Sequence, residues 1–183
     1  MSLQSLTKLN HRTAEHKAFA VSLIKGKVPT PLYYKYLYNQ EYMYRSLENN
    51  LKSLNFPATL WDVFRAPKIQ QDMDELIKIN NLPHNIAVLY PVSHHYIAHI
   101  NKLQETKQYE HLLAHLYVRH FGDMYGGAFI AKKAPGSGEM YKFTNKENLQ
   151  TALRGLFNDN MAPEANICFR YAIELFEQLG KEL

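Results

Sequence analysis

Between residues 109 and 133 the chain carries a well-patterned helical run whose interior reads Arg119-His120-Phe121-Gly122-Asp123-Met124-Tyr125-Gly126-Gly127. Three glycines and an aspartate inside one helix contradict its periodicity, because each glycine there costs about 1 kcal/mol relative to alanine. A chain tolerates such a stretch where something must approach the backbone closely or where the helix must bend. Gly122 and Gly126 are four residues apart and share a face, and Asp123 and Gly127 form the adjacent row. The expected result is a strip of bare backbone with one carboxylate beside it, a seat for a flat, bulky ligand that needs a polar group nearby.

The rest of the chain is helical in pattern as well. Residues 3–25 place Leu6, Leu9, Ala14, Ala18 and Val21 or Leu23 at helical spacing, with Ser2 or Ser5 as a cap and Gly26 and Pro29 as the stop. Thr30-Pro31 supplies an N-cap and a first-turn proline for a helix over 32–54, rich in tyrosine at positions 33, 34, 36, 38, 42 and 44. Pro57 breaks it. A helical turn at 60–65 and helices over 69–80, 87–105, 109–133, 146–157 and 163–179 follow, with Pro91 as a kink or a late start. Pro135-Gly136-Ser137-Gly138 is the clearest loop, and residues 140–143 are the one short stretch that could be extended. The prediction is a single all-α domain over residues 1–183, a bundle of about seven or eight helices.

Composition narrows the function classes. Eight glycines and eight prolines are too few for a turn-rich β-sandwich, and 46% hydrophobic residues exclude a disordered chain. Cys168 is the only cysteine, so neither an internal disulfide nor a multi-cysteine zinc site is available, and a reducing, cytoplasmic setting is expected. No apolar run approaches the roughly 18–20 residues needed to span a bilayer, the amino-terminal segment lacks a signal-peptide core, and Gly180-Lys181-Glu182-Leu183 reads as a helix end rather than a membrane tail. The net charge of +4 suits an acidic protein partner or an anionic ligand; without a dense Arg/Lys stripe it argues against nucleic acid. There is no Gly-x-Gly-x-x-Gly, no phosphate-binding glycine loop and no Gly-x-Ser-x-Gly.

The first helix reads His11-Arg12-Thr13-Ala14-Glu15-His16-Lys17-Ala18-Phe19, in which His11, Ala14, Glu15 and Phe19 fill a pattern His-x-x-Ala-Glu-x-x-x-Phe. Joined to the glycine run, to Ala114-His115-Leu116-Tyr117 upstream of it, and to Phe169 with Ile173-Glu174-Leu175-Phe176-Glu177 in the last helix, it makes a chain that resembles the heme oxygenase family over nearly its whole length. The resemblance implies heme sandwiched between the first helix and the glycine-rich helix. His11 is then the proximal iron ligand, with Glu15 one turn on to accept its other ring N–H. Gly122, Gly126 and Gly127 let backbone lie over the disc. Asp123 anchors an ordered water network that relays protons above the iron, fed by Arg119 and Tyr44. Lys8, Tyr117 and Arg154 stand near the propionates. Phe169 is a candidate for the pocket wall and Phe176 for the core. By residue type alone Glu15 reads equally as a surface acid, Lys8 and Arg154 as solvated cations, and Arg119, Tyr44 and Tyr117 as packing.

Four positions depart from the pattern. Tyr125 stands where a small hydroxyl residue is usual, Ala128 where glutamine is, and His120 and Phe121 where tyrosine and leucine are. The resemblance further implies that heme, as both substrate and cofactor, is opened with dioxygen and reducing equivalents to biliverdin, carbon monoxide and ferrous iron. With no flavin or nicotinamide motif, electrons come from a partner, ferredoxin or a similar acidic donor, and a bilin reductase is a downstream candidate. The alternatives are a non-enzymatic heme-binding or storage protein on the same scaffold, and a related all-α scaffold of thiaminase-like or di-iron type. His95/His99 and His111/His115 have the i,i+4 spacing that holds zinc or a di-iron pair, but paired Glu-x-x-His elements are missing, and they read as surface or packing residues.

Overall fold

The structure, a computed structural model, describes residues 2–83 and 85–183. Among the described residues there are helices and no strands. The α-helices are α1 (Leu3–Glu15), α2 (Ala18–Ile24), α3 (Thr30–Ser53), α4 (Ala66–Asn80), α5 (Pro91–Glu105), α6 (Tyr109–Leu116), α7 (Gly122–Ala131), α8 (Lys146–Arg154) and α9 (Ala162–Gly180). Two long helices organise the packing: α3 against α4, α5 and α6, and α9 against α1, α2, α5 and α6.

Local chemistry explains most boundaries. Ser2 caps α1 reciprocally with Ser5, whose backbone N–H reaches the Ser2 hydroxyl at 3.3 Å while the Ser5 hydroxyl accepts from the Ser2 backbone at 2.9 Å. Pro91 is a late start rather than a kink, because a proline without an N–H costs nothing in a first turn. Thr30 lies inside α3 and Pro29 takes the cap position, with no side-chain hydrogen bond to the helix. The turn expected at 60–65 is the 3₁₀ segment Ala58–Val63, the final stretch of 146–157 is not helical, and residues 139–141 form a 3₁₀ turn rather than an extended strand.

Two predicted helices are interrupted. The run over 3–25 breaks at Lys17, which is extended at φ −66° and ψ 143°. Neither glycine nor proline marks the break. Its effect is to turn α2 so that Phe19 enters the core, fully buried, against Tyr36 at 5.2 Å and Phe176 at 5.8 Å, while Lys17 pairs with Glu177 of α9. Burying one such aromatic is worth roughly 1.5–3 kcal/mol. Phe176 therefore belongs to the core side of α9. The run over 109–133 contains a π-helical turn, Tyr117–Phe121, between α6 and α7. The local bend anticipated at the glycines is thus made immediately before the first of them.

The glycines of α7 do not share one role. A Cβ at Gly122 or Gly126 would meet nothing within 4 Å, whereas one at Gly127 would stand 2.4 Å from Cδ1 of Tyr141. Gly127 is therefore no part of the open strip: it faces the core, and its missing side chain admits the Tyr141 ring. Gly127→Ala is expected to destabilise the heme-free protein by about 1–3 kcal/mol through overpacking, while Gly126→Ala leaves it unchanged or slightly more stable. Chemical denaturation of the two variants checks the contrast.

Candidate active site

Along α3, Tyr36, Gln40, Tyr44 and Glu48 recur every fourth residue and so form one row, and all four are buried. A polar row on a buried face needs partners, since each unpaired group costs about 1–3 kcal/mol. The partners come from the π turn and the first turn of α7. Gln40 donates to the Tyr36 hydroxyl at 2.9 Å and accepts from Arg119 Nη1 at 2.9 Å. Tyr44 donates to Asp123 Oδ2 at 2.6 Å. His120 Nε2 donates to Glu48 Oε1 at 2.8 Å, and the same carboxylate accepts the backbone N–H groups of Arg65 and Ala66, closing the start of α4. Because the turn is π-helical, Arg119, His120 and Phe121 are buried in succession.

Asp123 is the chemically distinctive member. Burial pushes its carboxyl up to about 7, against the lowering by the Tyr44 hydrogen bond and by the charges of Arg119 and Arg65. Burial and the Asp123 charge together hold the Tyr44 phenol well above its ordinary value, so Tyr44 stays a donor. A carboxyl titrating near neutrality takes up and gives back protons readily at physiological pH. Arg119 lies in the same seam, but its hydrogen bond goes to Gln40 rather than Asp123, and its guanidinium lies over Tyr96 at 4.2 Å and Tyr44 at 5.4 Å.

On α1, His11 is solvent-accessible. Its side chain is 54% exposed, Nδ1 lies 3.5 Å from Glu15 Oε2, and its ring meets Phe169 of α9 edge-on at 5.7 Å. Nε2 has no hydrogen-bond partner among the described residues. The α1–α2 segment approaches the α6–α7 run at the end of α2. There Gly26 lies against Lys133, where a Cβ on the glycine would come within 2.8 Å of the lysine Cβ. On these two runs, His11 is solvent-accessible and the bare faces of Gly122 and Gly126 are open. Tyr117, Phe121 and Phe157 form an aromatic wall, with ring centroids 5.2 to 5.9 Å apart, and Tyr125 packs on Phe121 at 5.0 Å. Arg154 donates to the Tyr125 hydroxyl and is exposed, as is Lys8.

This arrangement of an accessible imidazole, bare backbone and a carboxyl poised near neutrality accompanies a match over almost the whole sequence. The family model described as heme oxygenase matches residues 1–178. The chain belongs to the heme oxygenase family. It is 26% identical to a heme oxygenase of Porphyra purpurea, over 99% of this chain and 86% of that one, and 30% identical to heme oxygenase 1 of Rattus norvegicus, over 97% and 70%. A solved heme oxygenase from Leptospira interrogans has a TM-score of 0.78 at 27% identity, covering 97% of this chain and 100% of that one. Heme oxygenase-1 of the cyanobacterium Synechocystis, solved in complex with heme, has a TM-score of 0.83 at 21% identity, covering 98% and 91%, and supports the shared fold.

Among the residues singled out by the heme oxygenase resemblance, Tyr44 meets Asp123, and Glu15 and Phe169 flank His11. Gly127 does not join Gly122 and Gly126. Two departures from the family pattern find physical explanations. His120 serves as the donor to Glu48, and Tyr125 turns its phenol to Arg154. Ala128 is exposed, and nothing in the structure explains it. Sequence reasoning missed Gln40, Glu48 and Tyr96. The signal for the first two was present: polar residues every fourth position in an otherwise aromatic and apolar helix face.

Proposed function

We propose that this protein opens heme to biliverdin, carbon monoxide and ferrous iron, with His11 as the residue that would hold the iron and α1 and α7 as the helices that would flank the heme. The reading rests on one observation above all: a carboxyl pushed up to about 7, Asp123, stands beside two glycines whose faces are open. The residues fit the group. His11 offers an Nε2 without a partner among the described residues, and a flat disc can lie against Gly122 and Gly126 where a side chain would obstruct it. The hydroxyls of Tyr33 and Tyr141, buried without a partner and electrostatically coupled to Asp123, offer hydrogen-bond sites to ordered water.

Bound heme supplies the oxygen chemistry and is itself the molecule consumed. Glu15 orients the His11 ring through Nδ1. Asp123 holds a proton at Oδ1 or Oδ2 and passes it toward the open face, and Tyr44 keeps the carboxyl in place. Arg119 and Gln40 act as positioning residues that hold Tyr44 and the π turn. Phe169 buttresses the proximal imidazole, and the aromatic wall excludes water. Lys8, Tyr117 and Arg154 pair with the propionates, Arg154 by exchanging its Tyr125 partner for a carboxylate. The charge excess of +4 supports an acidic electron donor of the ferredoxin kind, and a bilin-reducing enzyme is the class of partner that takes the product. A single cysteine supports a cytoplasmic setting; no helix among the described residues is long and apolar enough to cross a membrane.

The test is titration with heme followed by turnover with oxygen and a reductant. Saturable one-to-one binding and loss of the heme absorption band with appearance of bilin are expected. Stable heme with no bilin would instead indicate storage, and no binding would overturn the reading altogether.

A further inference from the structure

Away from His11 and Asp123, three histidines converge on one buried carboxylate. Glu164, in the first turn of α9 and 8% exposed, accepts through Oε1 from His115 Nε2 of α6 at 2.9 Å and from His99 Nε2 of α5 at 2.5 Å. His111 Nδ1, one turn before His115, lies 3.9 Å from Oε2. The ligand atoms of His99, His115 and Glu164 all fall within 4.8 Å of one another. The geometry points to a binding site for a zinc-like divalent transition-metal ion, with His99, His115 and Glu164 as ligands and His111 or water as the fourth.

Donor type and access both support this. Two imidazoles and one carboxylate are the set that holds zinc with a fourth position left for another ligand. His99 and His111 are 25% and 44% exposed on their side chains, so an ion can enter from solvent while His115 is wholly buried beneath them. The three ligands come from α5, α6 and α9, so a bound ion would crosslink those helices. Tyr96 touches His115 at 5.3 Å and lies under Arg119, linking the cluster to the seam behind Asp123.

One feature limits affinity. Nε2 of His115 now donates to Glu164, and coordination through that atom moves the proton to Nδ1, which has no hydrogen-bond partner. A buried unpaired donor weakens binding by about 10- to 100-fold, which places the site in the micromolar rather than the nanomolar range.

The test is calorimetric titration of the chelator-treated full chain with zinc ions, heme-loaded and heme-free, with thermal unfolding in parallel. One equivalent with micromolar Kd is expected in both forms, with a Tm rise of about 5–10 °C at ~100-fold excess over Kd. His99→Gln, at a partly exposed position where folding is not threatened, is expected to weaken binding by about 10-fold or more. Glu164→Gln should abolish it, and His115→Gln offers a second buried variant if that one fails to fold. Absence of saturable binding below ~100 µM, or binding in His99→Gln equal to that of the unaltered chain, would overturn the assignment whether or not the protein turns over heme.

Discussion

Asp123→Ala is expected to bind heme and lose bilin formation by about 10²- to 10⁴-fold, the range in which a positioned proton-transfer group contributes. The retained binding follows from geometry. Asp123 hydrogen-bonds Tyr44 in the seam behind α7, while the open faces are those of Gly122 and Gly126. Single-turnover spectroscopy separates the two effects, and unaltered bilin yield would remove Asp123 from the mechanism. The pH dependence carries a sign. A carboxyl titrating at about 7 is half protonated there, so proton delivery through it weakens as pH rises past neutrality. Stability moves in the same sense. The folded state holds this proton above the ordinary carboxyl value, so the native protein binds more protons than the unfolded chain between about 4 and 7 and loses stability as pH rises across that window. Asp123→Asn, which keeps an acceptor for Tyr44, should therefore be more stable than the unaltered heme-free protein at pH 8, by on the order of 1 kcal/mol or about 2–4 °C in Tm, and little different at pH 4.

His11→Ala is expected to weaken heme binding by about 10-fold or more and to shift the absorption band of whatever heme remains, with added imidazole restoring the original spectrum. Rescue is plausible on steric grounds, because His11 is more than half exposed and its removal opens a space that an external imidazole can reach. Apo-protein stability should change little, since the residue is held only by the 3.5 Å contact to Glu15 and the edge of Phe169. An unchanged spectrum in the variant would mean that another side chain ligates the iron and would dissolve the assignment of α1 as the proximal helix.

The helical character of the chain and most helix boundaries were legible because periodicity, proline and capping residues act locally. The break at Lys17 was not, because no local breaker marks it; it is decided by the burial of Phe19 against Tyr36 and Phe176. The π turn was half legible: the glycines signalled an irregularity, but not that the extra residue would bury Arg119, His120 and Phe121 together. His11 and Asp123 are joined in one proposed site only through resemblance, since nothing in spacing links residues so far apart. Glu48 with His120, and Glu164 with three histidines, are contacts between helices distant in sequence. An i,i+4 rule can supply half of such a pair but never its partner. Gly127 shows the limit from the other direction: chain position placed it beside two exposed neighbours, and only Tyr141 reveals which way it faces.

The close approach of Gly26 to Lys133 holds the end of α2 against the end of α7. Any larger residue at position 26 would wedge those ends apart, so a single missing side chain sets the span between the two helices.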